Sequence, residues 1–191
     1  MILLPDIIET VGRNKKIFSI PTKLFEQNII TLFDDIDDDS AYSIITQLIY
    51  ADTINTQEPI NLYIKSDGGS VTAGLAILDT IESMQRKVNT VGIGQCASMG
   101  QVILSCGTGE RKVLKNTRVM MHSVSSGTGG TVHDQIVQLE ETKFLQEKLM
   151  TIITNSTKGK LSLDEIKKMT QRDKFMSAEE CVKYGLVDTI V

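Results

Sequence analysis

Two histidines, His122 and His133, are the whole imidazole supply of this 191-residue chain, so a base working near neutral pH must be one of them. His122 falls near the end of an expected strand, Arg118 to Ser123, just before a glycine-rich stretch, from where it can reach a neighbouring loop. A buried, hydrogen-bonded histidine is the ordinary alternative. His133 falls in the first turn of a helix rich in Gln and Glu and reads as solvated. A serine becomes nucleophilic only where a base takes its proton and donors receive the resulting oxyanion. Ser98 sits in a small-residue turn, Ala97-Ser98-Met99-Gly100, at an expected helix start. The first amides of a helix lack intrahelical acceptors, so the Met99 amide can face a developing negative charge. The competing reading is that Ser98 only caps the helix.

Gly68-Gly69 closes a second strand-to-helix turn and can bring another backbone N–H close to a bound carbonyl, although most glycine pairs are only turns. The surrounding Ser66-Asp67-Gly68-Gly69 lacks the lysine of a phosphate loop, which favours an oxyanion hole over nucleotide binding. An orienting carboxylate is expected from a short irregular segment. Asp173 fits, isolated in Arg172-Asp173-Lys174 between two capped helices, though exposed aspartates are common. The order Ser98, His122, Asp173 differs from the Ser, Asp, His order of α/β-hydrolases and disfavours that fold. A competent pair needs Ser98 Oγ within roughly 2.6 to 3.2 Å of His122 Nε2.

The elements that must position these groups read as one α/β domain over residues 1–191, with no repeat and no linker. Asn28 to Phe33, Asn61 to Lys65 and Val88 to Ile93 are strand candidates; Val71 to Met84 and Gln101 to Gly107 are apolar-periodic helices. Five aspartates, Asp34, Asp35, Asp37, Asp38 and Asp39, invite a calcium loop but lack its spacing and its closing glutamate. Capping of the helix that follows explains them more simply. Arg111 to Leu114 is a further short strand candidate. A long helix runs from Val132 to about Asn155. Capping boxes at Ser162/Glu165 and Ser177/Glu180 open two short helices, the second closing at Gly185 before a terminal strand, Leu186 to Val191. Residues 1–25, punctuated by Pro5 and Pro21, read as a less regular terminal arm.

Composition narrows the function classes. With 20 basic against 24 acidic side chains and a net charge of −4, no basic field draws in nucleic acid. Three unpaired-looking cysteines and two histidines make neither a disulfide framework nor a structural zinc site, and suit a reducing, cytoplasmic location. No apolar run approaches the ~20 residues of a membrane span, and the start of the chain does not read as a signal peptide.

Taken in order, these segments resemble the ClpP family, the proteolytic subunits of the Clp protease. The likeness runs from about Leu4 to Val191 through Ile36-Asp37-Asp38, Asp67-Gly68-Gly69-Ser70-Val71-Thr72-Ala73-Gly74, Ala97-Ser98-Met99-Gly100, Arg118-Val119-Met120-Met121-His122, Arg172-Asp173-Lys174-Phe175 and Tyr184-Gly185-Leu186-Val187-Asp188. The resemblance implies a crotonase-like α/β fold, with stacked β-sheets flanked by helices and a protruding helix/strand handle over residues 124–155. It implies Ser98 as nucleophile, His122 as base and Asp173 as its orienter, with the amides of Gly69 and Met99 as oxyanion hole. Ser125, Ser126 and Gly127 would be an edge that pairs with extended substrate.

By the same resemblance the chain is a serine endopeptidase of unfolded proteins without cofactor or metal. It would work inside two stacked seven-subunit rings, or mixed rings with a paralogue, fed by a hexameric AAA+ Clp unfoldase, with the terminal arm at the axial entrance. Asp67 and Val124 stand where the family usually has proline, Ser125-Ser126 replaces a more apolar pair, and Gln171 replaces an acid that pairs with the counterpart of Arg172. These departures keep a weakly active or regulatory subunit of a mixed ring as an alternative. A crotonase-type acyl-CoA enzyme is a second.

Overall fold

The computed structural model describes residues 4–54 and 56–191, so residues 1–3 of the expected arm lie outside the described part. The rest of that segment is more regular than the sequence implies. β1 (Ile7–Val11) and β2 (Asn14–Phe18) form an antiparallel hairpin, followed by α1 (Ile20–Glu26) with Pro21 in its first turn and Ser19 accepting from the Thr22 amide. Lys23 of α1 pins the hairpin back, pairing with Glu9 at 2.8 Å and lying 4.1 Å over the Phe18 ring.

The main sheet follows as β3 (Ile29–Leu32), α2 (Asp38–Thr53), β4 (Ile60–Ser66), α3 (Val71–Ser83), β5 (Val88–Ala97), α4 (Met99–Ser105), β6 (Arg111–Val113) and β7 (Arg118–Met121). Beyond it come α5 (Val132–Ser156), α6 (Leu163–Met169), β8 (Lys174–Met176), α7 (Ala178–Tyr184) and β9 (Thr189–Ile190). The strands β3, β4, β5, β6 and β9 lie side by side and all parallel. Such a mainly parallel sheet flanked by helices needs apolar strands because helices cover its faces. Ile60, Leu62 and Ile64 of β4 are accordingly buried, and so are the first five residues of β5.

The sequence marks the end of β5 at Ile93, but the strand continues to Ala97. Its first half pairs with β6 (Thr90 with Arg111), and its second half with β7 (Gln95 with Arg118), after a register shift beside Gly94. The sheet thus forks, and β7 with its antiparallel partner β8 forms a second wing. The turn at residues 98 to 100 is left at the tip of β5.

Helix starts follow the expected chemistry. Asp37 caps α2 by accepting from the Ser40 amide, and both Ser162/Glu165 and Ser177/Glu180 form capping boxes. Thr131 caps α5 with Asp134 in the same way, at the start that the helical pattern from Val132 implies. Only the last turns of α5 are buried, at Leu149, Met150 and Ile153, so its first part protrudes from the body. Among the described residues no strand accompanies it: residues 122–129 have no regular secondary structure.

A buried cation ties the C-terminal part together. Arg111 donates to Asp188 with Nη2 at 2.6 Å, and its Nη1 donates to the carbonyls of Ser105 and Ser156, the last residues of α4 and α5. A guanidinium there meets the negative ends of two helix dipoles and satisfies their orphan carbonyls. The Arg111 hydrogen bonds, reinforced by Lys158, hold the Asp188 carboxyl well below its ordinary 3.8. A depressed folded-state pKa means stability that is present above the unfolded pKa and is lost progressively as pH falls from there through the folded pKa. Asp188→Asn, which leaves Arg111 buried without its counter-charge, is expected to cost about 3 kcal/mol at pH 7. In denaturant titrations run from pH 7 to pH 2, the gap between wild type and variant should narrow steadily below pH 3.8. A gap independent of pH would contradict this account.

Candidate active site

Ser98 and His122 meet because the sheet registers them. Parallel pairing of β5 with β7 sets Ala97 beside Met120, and the Ser98 amide extends that ladder by donating to the Met120 carbonyl at 2.9 Å. His122 follows β7 directly, and its Nε2 lies 2.9 Å from Ser98 Oγ. On the other side of β7, antiparallel pairing sets Met121 beside Lys174, so the next opposed pair is His122 and Asp173. Asp173 Oδ1 lies 3.5 Å from His122 Nδ1, longer than a closed hydrogen bond. His122 is half-buried, whereas the Asp173 side chain is 62% exposed. His133 lies apart, exposed in the first turn of α5.

Ser98 occupies the N-cap position of α4, but its side chain makes no capping bond. Its backbone has φ 53° and ψ −125°, a left-handed conformation that costs a non-glycine residue about 1–3 kcal/mol. The hydroxyl is thereby turned away from the helix amides and towards His122. The neighbouring thiol is no competitor: burial pushes Cys96 up to about 12, and its Sγ donates to the Ile64 carbonyl. Cys106 and Cys181 are likewise pushed to about 12 by burial.

The two glycines build the opposite wall. Gly69 pairs with Ile36 in an isolated parallel bridge, with the Ile36 amide donating to Gly68 O at 2.8 Å and the Ser70 amide to Ile36 O at 2.7 Å. In that pattern Ile36 bonds to the residues on either side of Gly69, so the N–H of Gly69 itself points away from Ile36. It lines a cavity of about 60 Å³ together with Ser98, Met99 and His122. The Met99 amide, first in α4, has no intrahelical acceptor. Both glycines have positive φ, 100° at Gly68 and 146° at Gly69, and a Cβ on Gly68 would stand 2.6 Å from Ser98 Cβ. Asp67, just before them, accepts from Gln95 Nε2 at 2.7 Å, a polar tie in place of a proline's rigidity.

Of the expected substrate edge, Ser125 lines the cavity, while Ser126 Oγ accepts from Thr142 Oγ1 at 3.0 Å and Gly127 is exposed. The Val124 amide, a donor that a proline would not have, is taken up by Gln146 Oε1 of α5, and Ser123 Oγ donates to the Thr170 carbonyl. These ties hold the segment after His122 against α5 and α6. Sequence reasoning passed over Gln146, Thr170 and the inner lining, Gln101, Val102, Leu149, Met150 and Ile153. Their only signal was helical periodicity, which marks a buried face but not what it faces. Gln171 is exposed beside Arg172.

The arrangement can polarise a serine hydroxyl towards an imidazole and offer two backbone amides to an oxygen bound between them. A family model described as Clp protease matches residues 12–191.

Gly69→Ala would place its Cβ 2.1 Å from the Ile36 carbonyl oxygen, a backbone atom that cannot swing aside. It is expected to destabilise the fold by at least about 2 kcal/mol, whereas Gly129→Ala, with nothing within 4 Å, should stay within about 0.5 kcal/mol. Chemical denaturation of the two variants checks this; equal midpoints would show that the turn yields freely.

Proposed function

The chain belongs to the Clp protease family, a family of peptidases, and from that premise we propose that it is the serine endopeptidase subunit of an ATP-dependent Clp protease. The observation that carries the reading is the 2.9 Å contact between His122 Nε2 and a Ser98 hydroxyl that its strained backbone keeps from capping α4.

In this reading Ser98 Oγ attacks the carbonyl carbon of a scissile peptide bond while its proton passes to His122 Nε2. The carbonyl oxygen becomes an oxyanion between the amides of Gly69 and Met99. Collapse breaks the C–N bond, the amine leaves with the proton from His122, and Ser98 holds the acyl group as an ester. Water then attacks that ester, giving one proton to His122, and the acid departs as Ser98 recovers its hydroxyl proton. Asp173 accepts from Nδ1–H, and its 3.5 Å separation must shorten to hydrogen-bond length for it to hold the tautomer. Ser125 to Gly127 offer backbone to an extended substrate.

The peptidase works within stacked seven-membered rings, and an AAA+ unfoldase hydrolyses ATP to feed them unfolded protein. Exposed apolar side chains support association: Tyr42, Ile49 and Tyr50 on α2, and Val132, Ile136, Val137, Leu139 and Phe144 on α5, belong against another surface. The residue 1–25 arm then borders the axial entrance, and residues 124–155 contact the opposite ring. An acyl-CoA reaction would leave the Ser98–His122 contact without a use.

An alkyl fluorophosphonate is expected to add to Ser98, as read by intact mass, and to add nothing in Ser98→Ala. His122→Ala should lower peptide turnover by roughly 10⁴-fold or more. An unlabelled Ser98 in assembled rings with the unfoldase bound would overturn the proposal.

A further inference from the structure

We propose, on the footing of the peptidase reading above, that Ser123 is a positioning residue of this site: its hydroxyl fixes the segment that carries Asp173, and so sets how well Asp173 orients His122.

The two chain neighbours of His122 hold the two ends of that segment. Met121, before it, pairs with Lys174 in the ladder between β7 and β8. Ser123, after it, donates from Oγ to the Thr170 carbonyl at 2.8 Å. Asp173 therefore lies in a stretch, residues 170–174, tied at both ends to the residues that flank its own imidazole partner. The ladder serves one end only, because β8 begins at Lys174 and residues 171–173 lie outside helix and strand. The other end is left to the Ser123 hydroxyl.

Both partners of that bond are anchored. Thr170 is the buried C-cap of α6, and its amide and its Oγ1 each reach the Ile166 carbonyl at 2.9 Å. Its own carbonyl is one of those a helix end leaves without an intrahelical donor, and the Ser123 hydroxyl supplies one. On the other side, the amide of the next residue, Val124, donates to Gln146 of α5. The Asp173 side chain has no such anchor: it is 62% exposed, and the partner that the described residues give its carboxylate is His122 Nδ1 at 3.5 Å. A carboxylate without a closed bond of its own takes its place from its backbone. With the Ser123 tie gone, the Thr170 end can draw away from His122, widening a gap that must close before Asp173 holds the tautomer. Ser123 is exposed and also lines the cavity beside Ser98 and His122, so direct contact with substrate is the competing role. Its signature is a change in KM rather than in kcat.

The test measures kcat and KM on a fluorogenic peptide, and the rate at which an alkyl fluorophosphonate labels Ser98, in the full-length assembled protein. Ser123→Ala is expected to lower kcat and the labelling rate roughly three- to tenfold, the worth of one neutral hydrogen bond, with KM unchanged. Ser123→Thr, which keeps the hydroxyl, should restore most of the loss. Ser123→Val, of the same shape as Thr but without the hydroxyl, should not, and this pair reads the bond even where the alanine variant fails to assemble. Because Ser123 acts through Asp173, adding Ser123→Ala to Asp173→Asn should slow labelling by less than about twofold further. A wild-type kcat in Ser123→Ala, a raised KM with kcat intact, equal rates in the Thr and Val variants, or a full-sized effect in the Asp173→Asn background would each overturn the proposal. Failure of the fluorophosphonate to label Ser98 in wild type would instead remove the peptidase reading itself, and with it this one.

Discussion

The site depends on one strand pairing in two directions at once. β7 is parallel to the far half of β5 and antiparallel to β8, and those two registers set Ser98 one rung from His122 on one side of β7 and Asp173 opposite His122 on the other. Because side chains alternate faces along a strand, a slip of one residue would send His122 to the opposite face. What prevents the slip is burial: Val119, Met121 and Met176 lie in the core, at 0–1% exposure, and cannot exchange places with exposed neighbours. Positions that would carry peptide chemistry are thus held by hydrocarbon packing several residues away.

The second constraint is steric. Ser98 sits in a backbone region that non-glycine residues avoid, and Gly68 lies so close behind it that no Cβ would fit. Local strain of this kind persists only where the surroundings over-determine it. Here those surroundings are the Ser98 to Met120 hydrogen bond, the bridge between Ile36 and Gly69, and the Ser66 hydroxyl accepting from the Gly68 amide. The strain has a consequence for chemistry, since it denies the hydroxyl its usual role as a helix cap. Beneath the turn, α4 runs wholly through the core and ends on Arg111, which also receives α5 and, through Asp188, the C-terminal strand. The two helices whose faces line the cavity are therefore fixed by one guanidinium at their far ends.

Much of this was legible in the chain. Apolar runs marked β3, β4 and the start of β5, a period near 3.6 marked α3, and the capping boxes at Ser162 and Ser177 marked two helix starts, because each of those signals is local and has a local cause. The scarcity of histidine reduced the possible bases to two, and the ordered motifs pointed to the family that the comparison supports. Other features were not legible. Residues 1–25 looked irregular, yet a hairpin and a helix form over residues 7–26, held partly by Lys23 reaching Glu9 and Phe18. The forked course of β5 depends on β6 and β7, two strands that lie well beyond it in the chain.

The sequence by itself therefore determined the types of side chain available, the periodicities that build each element, and the residues at which helices start. The tertiary structure decided which of them meet. Only the assembled sheet brings Ser98 within 2.9 Å of His122 while leaving Asp173 at 3.5 Å, and only the packed core shows that Gln101 is fully buried, with its Nε2 donating to Ser105 Oγ. The reason is physical: propensity and capping act over a turn or two of chain. Register, cavity lining and the satisfaction of buried polar atoms are properties of contacts between segments far apart in sequence.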